Sequence, residues 1–458
     1  MYKSSFFLYL FSIGFSLNLS LIDYHDPAAN HILDSEIIND ILIVSGLIQG
    51  IEFYDISNNS LNHLTNFNLS NSGGGGGGNT KSNCVRATNN YAYFTSNNGI
   101  HVVNISNPLT PQNTGSISGT NNLLLENLDL ENNILAVAAH QDGVKLFDIS
   151  NPSNPQYAST IITTNAWAVS IYNNYIYIAN NDELIIAHIE NINQPEIISI
   201  NSLGNAIKDL AIDSNFLYVA LGSDGVNIFD ISNPINILYL DNYNTSTLAN
   251  RIAPFNGKLA IADWDDVEII EWDGSSLNLV GYKNTGNRTM AISAKNNYIF
   301  SSEWASIQLF EFGSISGPDI DLDTWELNYP FVENGNSYSL IVNIINNGNQ
   351  ILNIIDNYTT NSAFTITNPL NNLSPGESQS VEIFYNATNS NASGSYRIYT
   401  NDADEPEIIC ETNGNINGAN IGQPAPDFNL EYLANGNGNF QLSDNLDQII
   451  VLAFFSPM

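Results

Sequence analysis

The sequence predicts a mainly β fold: a seven-bladed β-propeller over 22–315, a β-sandwich over 318–416 and the incomplete start of an α/β domain over 421–458. Three observations carry this. One short phrase recurs at near-constant spacing through the first two thirds of the chain. Turn pairs rich in Asn stand at a fixed distance before it. Beyond residue 317 the period stops, the alternating runs lengthen, and the chain ends on an apolar run.

The phrase comes first. Gly50 opens G-I-E-F-Y-D-I-S-N, Gly99 opens G-I-H-V-V-N-I-S-N-P, Gly143 opens G-V-K-L-F-D-I-S-N-P and Gly225 opens G-V-N-I-F-D-I-S-N-P. Degenerate copies start at Glu183, Asp266 and Ser306, so successive starts lie 49, 44, 40, 42, 41 and 40 residues apart. Seven units at such a period predict propeller blades.

Each unit has the same internal order. A second strand precedes the phrase: Ile41–Val44, Tyr91–Thr95, Ile134–Ala138, Tyr175–Ala179, Phe216–Ala220, Lys258–Ala262 and Tyr298–Ser302. Before each stands a turn pair, such as Asn132-Asn133, Asn173-Asn174 or Asn256-Gly257, of residues that accept the positive φ of two-residue hairpins. A third strand precedes the turn, and Asn107-Pro108, Asn151-Pro152 and Asn233-Pro234 close the phrase, because proline cannot donate to a ladder. Four antiparallel strands per unit follow. Closing the ring needs a strand from the other end of the propeller region, expected around Ile22–Leu33.

The phrase V-x-L/I-F-D-I-S-N-P resembles the LVIVP repeat, a propeller family of secreted and surface proteins, over roughly residues 24–315. That resemblance implies a fold and an extracytoplasmic setting but no reaction. The six histidines (His25, His31, His63, His101, His140 and His188) fall at unrelated places in the unit and predict no ring of ligands. The glycine run Gly73–Gly78 lacks a following strand–Lys–Ser/Thr pattern and reads as a surface loop, not a phosphate cradle.

The second region has short strands separated by Asn346-Asn347-Gly348-Asn349 and Leu373-Ser374-Pro375-Gly376, which predicts a sandwich. Its I-I-N-N-G-N-Q-I-L-N-I, L-S-P-G-E-S and T-N-D-A-D-E-P stretches resemble the abnormal-spindle/hydin-type Ig-like domains, which implies a spacer or interaction module. Asp402, Asp404 and Glu405 are candidate Ca²⁺ ligands, weighed against a solvated inter-strand turn. In the third region, Ile449–Phe455 reads as a strand buried on both faces. The opening I-G-Q-P-A-P-D-F-N-L followed by that strand resembles a redoxin domain of the AhpC/TSA or TlpA-like, thioredoxin-fold kind. The resemblance implies a nucleophilic cysteine just after this strand, where the sequence stops at Met458; the reading is a truncated domain.

Lys3, the apolar run Phe6–Phe15 and small Gly14 and Ser16 predict a signal peptide within 1–20, cleaved near Ser16. With 11 basic against 46 acidic residues the chain carries −35, which excludes nucleic acid as a partner and disfavours anionic membranes. The two cysteines, Cys84 and Cys410, fall in different regions and read as buried small hydrophobes. No catalytic, cofactor or metal residue is assigned. The expected role is an exported binding or scaffolding protein with a protein or glycan ligand on the propeller; the alternative is a fragment of an extracytoplasmic thiol–disulfide oxidoreductase or peroxiredoxin.

Overall fold

Backbone N–H and C=O groups must all be paired, and in a chain of short β-prone runs joined by tight turns the economical solution is local antiparallel pairing. The structure, a computed structural model, takes this route. It describes residues 18–25, 31–46, 50–69, 82–96, 99–313, 317–387, 391–403, 405–415, 429–431 and 439–441. Among them there is no helix. The chain divides into two compact units: Met1–Asp321 with Asn347–Gln350 and Ala403–Glu405, and the remainder.

The first unit contains five four-stranded sheets and one seven-stranded sheet. Each four-stranded sheet is consecutive in the chain, for example Ala166–Tyr172, Tyr175–Asn180, Glu183–His188 and Glu196–Ser202. Ile134–Ala138, Phe216–Ala220 and Lys258–Ala262 are strands with the predicted bounds. The hairpin turns explain the Asn content. Asn39, Asn132, Asn133, Asn173, Asn174, Ser214, Asn256, Gly257 and Asn296 all have positive φ, between 44° and 75°. Asn89-Asn90 differs: there Thr88 closes the turn, its N–H donating to Tyr91 O at 2.7 Å.

The D-I-S-N phrase is equally local. Asp55, Asp148 and Asp230 accept the N–H of Ser57, Ser150 and Ser232 at 2.8–2.9 Å, an Asx turn that ends the strand. The Ile between them is buried and donates its N–H back to the turn pair, Ile149 to Asn133 O and Ile231 to Asn215 O, both at 2.8 Å. Each phrase thus locks both ends of its hairpin.

Closure uses the expected device at a shifted position. Leu19–His25 pairs antiparallel with Ile307–Phe312, whereas Ile32 and the residues after it form the inner strand Ile32–Ile38 of the first sheet. The strand starts earlier because Leu19 is fully buried, in the cluster with Phe255, Ile292 and Phe310. The boundary at residue 20 falls inside this strand. Lys3, Phe6–Phe15 and Ser16 lie outside the described residues, as does the glycine run Gly73–Gly78.

In the second unit Ser337–Asn346 pairs with Ser378–Asn386, which pairs with Phe364–Ile366. A second sheet joins Ile354–Thr359, Ala392–Thr400 and Glu407–Gly414 antiparallel, with Glu326–Asn328 added in parallel. Alternate residues Val342 and Ile344, Val381, Ile383 and Tyr385, and Tyr396 and Ile398 are buried. After the Asn346-Asn347-Gly348-Asn349 turn the next strand begins only at Ile354; Leu352 makes an isolated bridge to Leu373, and Ile351 and Ile355 are exposed. A bulge between Ile354 and Asp356 resets the register there. Of 421–458 only the hairpin Asn429–Glu431 with Asn439–Gln441 is described; Ile449–Phe455 lies outside.

Candidate functional site: the axial channel

The innermost strand of each sheet has one unpaired edge, and those edges converge on a cavity of about 390 Å³. Period-two alternation makes the strands supply two layers of side chains. Matching residues to their hairpin partners places Asp34, Asn127, Ala168, Asp209, Arg251 and Ala291 in one layer. Glu36, Arg86, Asp129, Ser170, Ala211, Ala253 and Ser293 form the next.

The acidic and amide members answer the edge problem. Asp34 Oδ2 accepts the N–H of Val85 at 3.0 Å, and Asp209 Oδ2 that of Ile252 at 3.0 Å. Between the third and fourth sheets this becomes a ladder. Asn127, Asp129 and Glu131 accept the N–H groups of Val169, Ile171 and Asn173 at 3.2, 2.6 and 3.1 Å. Every second residue of one inner strand thus satisfies every second N–H of the next. Ser35 and Ser293 join the first and last inner strands through their hydroxyls at 2.6 Å.

Five carboxylates (Asp34, Glu36, Asp129, Glu131 and Asp209) line this cavity with two guanidiniums, Arg86 and Arg251. Arg86 Nη1 lies 2.9 Å from Asp34 and 3.9 Å from Glu36. Burial pushes the Glu36 carboxyl up to about 7; Arg86 opposes this, and Asp34 and Asp129 add to it. Burial also raises Asp129 to about 6 against Arg86 and the Ile171 N–H. Asp209 is raised by burial as well, against Arg251. The channel is therefore short of positive charge. Nε of Arg251 is buried without a hydrogen-bond partner.

The residues singled out from the sequence lie elsewhere. His25 and His63 stack at 5.8 Å, both against Tyr54, so two of the six histidines do meet. His31 stacks on Trp304, and His188 packs tilted against Tyr175. His140 hydrogen-bonds Asn165 at 2.9 Å, and burial lowers His101, which contacts Ser96 at 3.0 Å. Cys84 and Cys410 are buried free thiols whose pKa burial raises, Cys410 to about 12. Asp404 lies outside the described residues; Asp402 and Glu405 are buried, so the solvated-turn reading of this segment does not hold. Glu405 is engaged by Lys283 Nζ at 2.9 Å. The channel residues sit on the inner strands, not on the phrase strands, and their signal in the sequence is the alternating D-S-E of Asp34–Glu36 and N-L-D-L-E of Asn127–Glu131.

Residues 77–118, 128–163, 164–200 and 204–245 match the LVIVD repeat family. No curated protein matches the chain. Among solved structures, U3-55K is similar at 9% identity with a TM-score of 0.53, covering 64% of this chain and 98% of that one. The RRP9 WD40 repeats align at 10% identity and 0.53, covering 64% and 97%. A chain of the mitotic checkpoint complex aligns at 11% and 0.51, covering 64% and 92%. At such identities the likeness is one of fold, and with the LVIVD repeats it makes this region a repeat β-propeller.

Proposed function

We propose that this chain is an exported binding and scaffolding protein whose propeller has seven blades and takes a ligand bearing a cationic group in its axial channel. The carrying observation is the excess of carboxylate over guanidinium in one cavity, with Glu36 raised to about 7 and Asp129 to about 6. An ammonium or guanidinium group entering there would restore charge balance in a place where water screens poorly. Seven inner strands and the pairing of Leu19–His25 with Ile307–Phe312 support the blade count. The two-sheet second unit would be an Ig-like spacer, consistent with its strand order. Thermal unfolding with a panel of primary amines and guanidines tests the reading. Stabilisation by a member of the panel that weakens in Asp129→Asn is expected; no stabilisation by any member counts against it.

A second reading, a glycan ligand, is favoured by a separate cavity lined by Asn205, Asn227, Asn242, Asn244, Asp224 and Tyr239. Neutral amides beside a half-exposed aromatic ring suit a polyhydroxylated ligand, and a glycan array tests it. The redoxin-like opening I-G-Q-P-A-P-D-F-N-L supports thiol chemistry only for a chain that supplies a cysteine near it, since the two present lie at 84 and 410.

A further inference from the structure

Three carboxyl groups in the sixth repeat unit stand where the fold offers no countercharge. Asp263 occupies the turn between Lys258–Ala262 and Trp264–Trp272; Asp266 and Glu268 lie on the latter strand. They are 0%, 2% and 2% exposed, and one oxygen from each lies within 4.8 Å of the other two. No described ion pair involves any of them: the nearby guanidinium of Arg288 stacks on the Trp264 ring instead, 5.1 Å from its centroid.

Each carboxylate is satisfied on one side only. Ser246 Oγ lies 2.8 Å from Asp263 Oδ2 and 2.7 Å from Asp266 Oδ2, and its one proton serves only one of them. The N–H groups of Ser246 and Thr247 donate to Glu268 Oε1 and Asp263 Oδ2 at 3.0 and 2.6 Å. The remaining oxygens (Asp263 Oδ1, Asp266 Oδ1 and Glu268 Oε2) are buried and accept no bond of good geometry, and the other donors beside the cluster are neutral phenols, Tyr243 against Glu268 and Tyr282 against Asp266. Thr245 adds a second kind of donor. It is 7% exposed and its Oγ1 also lacks a partner, although the hydroxyl sits close enough to Asp263 to favour the ionised carboxyl.

The next repeat unit shows the same turn with a single acid whose two oxygens are both met. Glu303 N–H donates to Ser306 O as Asp263 N–H donates to Asp266 O, so Glu303, Ser306 and Gln308 stand in the places of Asp263, Asp266 and Glu268. There one acid replaces three. Both Glu303 oxygens accept hydroxyls, from Thr285, Thr289 and Ser301. The sixth unit has instead exchanged neutral groups for carboxylates, with only neutral hydroxyl and N–H donors around them.

From this geometry we infer that Asp263, Asp266, Glu268 and Thr245 hold a divalent cation, and that the cation is Ca²⁺. The donors are all hard oxygens with no imidazole or thiolate, which disfavours zinc and the softer metals. A buried site built from protein oxygens suits Ca²⁺ better than Mg²⁺, which keeps most of its waters. The ion would add the missing charge to three acids that burial otherwise holds up, Asp263 at about 6 and Glu268 at about 7.

The test uses the full chain. Thermal unfolding is followed with EGTA and with Ca²⁺ at about 1 mM, alongside Tb³⁺ emission sensitised by Trp264. Wild type is expected to unfold about 5 °C higher with Ca²⁺, and Ca²⁺ to displace the terbium. Asp266→Ser with Glu268→Gln recreates the neighbouring unit's residues; it is expected to lose both responses, whereas Glu303→Gln keeps them. Should the double variant not fold by circular dichroism, Asp266→Asn is read in its place, with at least a tenfold loss of Ca²⁺ affinity expected. A wild-type chain indifferent to Ca²⁺ and EGTA, or a folded variant with an unchanged response, overturns the assignment.

Discussion

Leu19 stands opposite Phe312 in an antiparallel pair that joins the start of the first unit to its last propeller strand. The pair brings a fully buried leucine into the core beside Phe255 and Phe310. Closure therefore depends on packing as well as on ladder hydrogen bonds. Leu19→Ala is expected to cost about 3 kcal/mol in denaturant unfolding, because it removes buried methyls from a site that cannot fully collapse. Ile22→Ala, on the same strand but 36% exposed, is expected to cost well under half of that. Equal losses would contradict the packing account. N-terminal sequencing of exported protein is expected to find a mature chain that retains Leu19.

Asp34 takes both the Val85 N–H and the Arg86 guanidinium. Asp34→Ala leaves Arg86 only the more distant Glu36 as an ion-pair partner and leaves a buried donor unmet, an expected loss of about 2–3 kcal/mol. Asp34→Asn keeps one acceptor and should lose less. Chemical denaturation of the two variants distinguishes a pin between sheets from a simple charge effect.

Glycine matters where the backbone itself is the obstacle. A Cβ on Gly225, at φ +69°, would lie 2.0 Å from Tyr243 O, so Gly225→Ala should cost about 2 kcal/mol or more. Gly257 has φ +75° but nothing within 4 Å, and Gly257→Ala should cost only about 1 kcal/mol. Thermal unfolding that ranks them the other way would refute the contact argument.

Glu303 sets a pH dependence. Burial raises its carboxyl from 4.5 to about 8, against the hydroxyls that surround it. The folded chain then holds that proton more tightly than the unfolded one. Its contribution to stability is full below the unfolded value and is lost as pH rises through about 8. Glu303→Gln cannot ionise, so its melting temperature should fall less between pH 5 and pH 8 than that of wild type, and the variant should be the more stable of the two at the alkaline end.

Much of this architecture was legible because it is local. The Asn turn pairs, the Asx turns at Asp55, Asp148 and Asp230, and the strand bounds of Ile134–Ala138 or Phe216–Ala220 depend on residues a few positions apart, whose conformational preferences act before any distant contact forms. The periodic phrase carried the repeat for the same reason. What tertiary structure decided is everything that joins one unit to the next. Asp129 reads in sequence as one more acid in an acidic chain, and only the neighbouring sheet turns it into the acceptor for Ile171 N–H in the lining of a channel. Asp266 and Glu268 read only as part of a degenerate phrase copy and Asp263 as an acid before it; burial against the loop at Ser246 makes the three a cluster without a countercharge. The cause is physical: alternation along a strand tells which residues share a face, but not what that face meets, and the energy of a carboxylate depends on what it meets.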